Sequence, residues 1–78
     1  MDIIKEKENV LMELVMDNSI KSIREAKDSG MSGIELKSHA SGILSMGSSL
    51  LDDDKSVEFI GKAVKVKEFV EAFNTGYV

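Results

Sequence analysis

Proline is absent from all 78 residues, so the chain lacks the residue that most forcibly stops a helix or a central strand. Only glycine and capping side chains can then punctuate it. Both signals concentrate in Asp28-Ser29-Gly30-Met31-Ser32-Gly33 and in Leu51-Asp52-Asp53-Asp54, which cut the sequence into three helical candidates.

The first candidate runs from about Asp2 to Lys27. Ile4, Leu11, Leu14 and Val15 form one stripe, expected to face inward, and Met12, Met16, Ile20 and Ile23 form a second at steps of four, four and three. Asp17-Asn18-Ser19 favour caps and turns, and Asn18 or Ser19 could open another helix. The second stripe crosses them in phase, which favours one helix, bent there at most.

The second candidate opens with Ser32-Gly33-Ile34-Glu35, which fits a capping box. Leu36, Ala40, Ile43, Gly47 and Leu50 follow at helical steps, with Leu44 and Leu51 widening the face. Gly42 and Gly47 each cost a helix about 1 kcal/mol relative to Ala, so this segment needs tertiary support. The third candidate, Asp54 to Asn74, would be about 30 Å long. Its carboxylates can cap the helix start, Phe59, Ala63, Val66, Val70 and Phe73 form its stripe, and Asn74-Thr75-Gly76 offers a stop. Phe59, Val66, Val70 and Phe73 are the expected central seam. The expected fold is therefore all-α, a three-helix bundle or an extended helical hairpin with a third helix, in one domain over residues 1–78.

Composition agrees with a packed chain, since 42% of residues are apolar and 31% charged. A domain this short buries only about 60 to 65% of its unfolded surface, which limits its stability to a few kcal/mol and gives self-association value. No cysteine occurs, so disulfides, thiolate nucleophiles and cysteine zinc sites are excluded, and a reducing cytoplasm is the expected setting. Met1-Asp2-Ile3-Ile4-Lys5-Glu6 turns charged at once, unlike a secretory signal. The least charged window, Ser38 to Leu51, is too short and too rich in serine to span a membrane. Nine lysines against the single Arg24 suit the AT-rich coding sequences of some bacteria and their phages.

A calcium loop starting at Asp52 would need Gly at Val57 and Glu at Ala63, so the acidic run reads as a cap. His39, the only histidine, has Ser38 and Ser41 near it in sequence, but neither shares its helical face, and no Gly-x-Ser-x-Gly or Ser-x-x-Lys occurs. Gly42 and Gly47 match no phosphate-binding pattern; Gly42 with Ser38, Ser41, Ser45, Ser48 and Ser49 makes a small-residue flank suited to close packing. Lys55, Lys62 and Lys65 share a face, yet Glu58 and Glu68 interleave with it, and a net charge of −4 disfavours nucleic acid.

No catalytic residue, metal ligand or cofactor site is expected. The expected function is a non-enzymatic protein-interaction module, a small regulator or inhibitor docking on a larger bacterial protein. Its alternatives are a homo-oligomeric assembly subunit, and a nucleic-acid-associated regulator or acidic DNA mimic. Met12, Met16, Ile20 and Ile23 are the expected partner-binding residues, because their stripe is offset from the inward one and methionine adapts to irregular partners. The partner is another protein, a second copy in a homodimer, or both.

Overall fold

The computed structural model describes residues 3–31 and 33–75, with side chains from Glu6 to Asn74 apart from Ser32. The described residues form four α-helices: α1 (Ile3–Asp28), α2 (Gly33–Ser49), α3 (Asp53–Ala63) and α4 (Lys67–Thr75). The all-α expectation holds, while the strictly three-helix arrangement does not, because the third candidate is broken in two.

α1 passes through Asp17-Asn18-Ser19 without interruption. Ser19 explains this: its buried hydroxyl donates to the Val15 carbonyl at 2.7 Å, so it bonds back into the helix instead of capping a new one. The end of α1 is equally local. Gly30 takes φ +95°, its N–H donates to the Lys27 carbonyl and that of Met31 to the Ala26 carbonyl, both at 3.0 Å. That is the double closure of a Schellman turn, in which glycine adopts the left-handed conformation at little cost. Met31 then packs on the core beside buried Ala26. The expected Ser32 cap and the Gly76 stop lie outside the described residues.

Asp52 caps α3, accepting from the Lys55 N–H at 2.8 Å. This backbone donor is the main reason its carboxyl lies below the usual range. α3 closes tightly after Ala63, with Lys65 donating to Lys62 and Val66 to Ala63 across three residues each. The break follows from phase. Phe59 and Ala63 on α3 and Phe69 and Ala72 on α4 are all buried. Positions 63 and 72 lie about 180° apart on one continuous helix, so no straight helix could bury both against the same core. The β-branched Val64 and Val66 make this a weak stretch of helix. The expected seam is corrected accordingly: Phe59 is central, Val66 and Phe73 are half-buried, and Val70 is exposed.

The helices lie side by side. Ser22 faces His39 and Val15 approaches Gly47, so α2 returns antiparallel along α1. Arg24 pairs with Glu68 at 3.0 Å and Lys27 with Glu71, both 44 residues apart in sequence, and Val15 and Phe59 have the same offset. α3 and α4 therefore follow α1 in its own direction, as one rod broken in the middle. The tightest point is Gly47 on α2, where a Cβ would lie 2.8 Å from two ring carbons of Phe59 and from Val15 Cγ1.

Candidate interaction surface

The structure turns the expected partner stripe inward. Met12 is 5% exposed and Ile23 0%, while Met16 and Ile20 are half-buried against the same core. The reason is that α1 is covered on two flanks, by α2 and by the α3–α4 rod. Met12, Val15, Ser19, Ile23 and Ala26 run down the middle of that covered arc. Met16 borders a shallow cleft with Lys62 of α3. Of the stripe assigned to the core, Val15 alone among the described side chains is buried; Leu11 and Leu14 are exposed, and the side chain of Ile4 lies outside the described ones. Both stripes have helical spacing, so periodicity by itself does not rank them.

This inversion creates a surface. Val10, Leu11 and Leu14 stand out from α1; on the neighbouring edge, Met46 near the end of α2 and Leu50 just after it are 72% and 65% exposed. A groove of about 280 Å³ runs between the two helices, walled by Asn18, Ser22, His39, Ile43, Met46 and Leu50. Buried Ser19 and Gly47 lie at its base. A second open hollow extends along α1 past Lys7, Val10, Leu11 and Leu14. Sequence reasoning missed Leu14, Met46 and Leu50 as surface residues. The available signal was that Met46 and Leu50 flank the small-residue side of α2.

The groove carries one polar bridge, Ser22 Oγ at 3.5 Å from His39 Nε2. The histidine thus finds its serine across the helix pair and not along its own helix. Ser22 lies within α1, where neighbouring N–H groups are committed to the helix, so no donor pair is presented there for an oxyanion. The contact reads as a hydrogen bond tying α1 to α2.

The other candidates resolve into structural roles. Asp52 is a cap, and no group of three or more metal-ligating side chains exists among the described residues. On the lysine face Glu58 receives both Lys55 at 3.0 Å and Lys62 at 3.6 Å, and Lys55 is the main cause of its lowered carboxyl pKa. The small-residue flank of α2 does not serve as a packing face: Ser38, Ser41, Gly42, Ser45 and Ser49 are exposed, and within it Ser48 alone is half-buried, its carbonyl accepting from Ser56 of α3 at 2.5 Å. The close helix approach falls instead at Gly47, which admits Phe59. Among the described residues no helix is long and apolar enough to cross a membrane. No protein-family model, curated protein sequence or solved structure matches this chain.

Proposed function

We propose that this chain is a non-enzymatic protein-interaction module, a small regulator or inhibitor acting in the cytoplasm of a bacterium or phage-infected cell, with the α1–α2 face as its working surface. One observation carries this: Leu14, Met46 and Leu50 are 55%, 72% and 65% exposed beside an apolar-walled groove. Exposed apolar area costs about 25 cal/mol per Å², and contiguous patches of it mark contact sites more often than single exposed residues do. The partner-binding role passes from the methionine stripe to this face, because Met12 and Ile23 are spent on the core. A nucleic-acid role gains no support from the lysine face, where Glu58 pairs with both Lys55 and Lys62.

The test is a Leu14→Glu, Met46→Glu double variant. Both positions are solvated in the isolated chain, so its helical spectrum and melting should stay close to those of the parent. Its capture of a protein partner, a second copy included, should be lost. A variant that folds and still binds everything the parent binds would remove the α1–α2 face from the function.

A further inference from the structure

We propose that the outer flank of α1 pairs with the same flank of a second copy, antiparallel, about a twofold axis level with Met16. This rests on the interaction-module proposal above and names its partner. Lys7, Leu11, Leu14, Asn18, Lys21 and Glu25 form one row along α1, and all six are exposed. Their steps are four, three, four, three and four, a pattern that reads the same from either end. An antiparallel copy therefore brings position 7 to 25, 11 to 21 and 14 to 18 in a single register.

The chemistry agrees with that register. Lys7 meets Glu25 of the second copy, and the symmetry makes this pair twice, once at each end. Leu11 lies under the methylene stem of Lys21. Leu14 meets Asn18, which is also a wall of the α1–α2 groove beside Met46 and Leu50, so the leucine is delivered to the apolar edge of that groove. Other alignments are worse. Centring the axis on Leu14 sets Lys7 against Lys21, centring it on Asn18 sets Leu11 against Glu25, and a parallel pair sets Lys7 against Lys7. Within one copy Lys21 and Glu25 are 4.0 Å apart with both side chains mostly exposed, a loose pair that leaves Glu25 able to receive Lys7.

Sedimentation equilibrium on the full chain tests this with five proteins: the parent, Lys7→Glu, Glu25→Lys, their combination, and Leu14→Glu. The parent should be a dimer at micromolar concentration. Each single reversal should weaken the dimer about tenfold, because it places like charges together at both ends, and the combined variant should recover to within about threefold of the parent. Leu14→Glu should sediment as a monomer with its helical spectrum intact. A parent that is monomeric at hundreds of micromolar, a Leu14→Glu dimer, or a combined variant weakened by both reversals would each overturn the pairing. Capture experiments separate this failure from that of the broader proposal. A monomeric parent that retains another protein, lost in the Leu14→Glu, Met46→Glu variant, removes the second copy only; retention unaffected by that variant removes both.

Discussion

The two glycines of α2 should respond in opposite ways to the same methyl group. At Gly47 a Cβ would meet Phe59 and Val15 at 2.8 Å, so Gly47→Ala overpacks a junction of three helices and should cost about 1 to 3 kcal/mol despite alanine's helix preference. Nothing lies within 4 Å of the corresponding point at Gly42, where Gly42→Ala should stabilise by about 0.5 to 1 kcal/mol. Thermal melting of the two variants should move in opposite directions, and a rise for both would mean that the Phe59 ring gives way easily. The corrected seam yields a second contrast. Phe59→Ala removes a fully buried ring and should cost about 3 to 5 kcal/mol, whereas exposed Val70→Ala should cost under about 1 kcal/mol. Equal losses at the two positions would restore the continuous Phe59-to-Phe73 stripe.

Among the helices, α4 is the short one, with its outer side held to α1 by Arg24–Glu68 and Lys27–Glu71. Both glutamates titrate below their ordinary 4.5: Glu68 chiefly because its own backbone N–H at the helix start holds the carboxylate, then Arg24; Glu71 chiefly because of Lys27. A carboxyl whose pKa is lower in the folded chain than in the unfolded one adds stability that is complete above the unfolded value and disappears as pH falls through the folded one. The melting temperature should therefore hold down to about pH 5 and decline below it, and a Glu68→Gln, Glu71→Gln variant should decline less steeply. Identical slopes would show that the two pairs are screened to nothing. At the other break, Asp52→Ala should cost about 1 kcal/mol by removing the α3 cap. These elements differ in how far they could be read from residues alone. α1 and the start of α3 were legible because the Gly30 turn and the Asp52 cap are local devices with fixed residue chemistry. The break after Ala63 was not, since no proline marks it and its cause is the need to bury Ala63 and Ala72, half a turn apart in phase, in the same core. The candidate surface was half legible: two apolar stripes on α1 announced a spare face, and only the positions of the neighbouring helices decided which stripe was spare.

As a whole the molecule is a rod of 47 × 19 × 18 Å, in which α2 packs on α1, α3 and α4, and α1 also packs on α3 and α4. The chain is short and its backbone hydrogen bonds are helical and local, so refolding from denaturant should occur in milliseconds or faster. With no proline in the sequence, stopped-flow traces should also lack a component of tens of seconds; such a component would point to an association step in the assembly of copies. Rods have a weakness that spheres lack, which is that parallel cylinders can slip past one another. A shift of α2 by one turn, about 5.4 Å, would keep its greasy side facing inward and would hardly change the buried area. What it would change is the residue beneath the Phe59 ring. Three and four places to either side of Gly47 stand Ile43, Leu44, Leu50 and Leu51, each far too large for the space that a hydrogen atom now fills. Ring and glycine thus work as peg and socket, indexing the rods so that one alignment out of several similar ones can close.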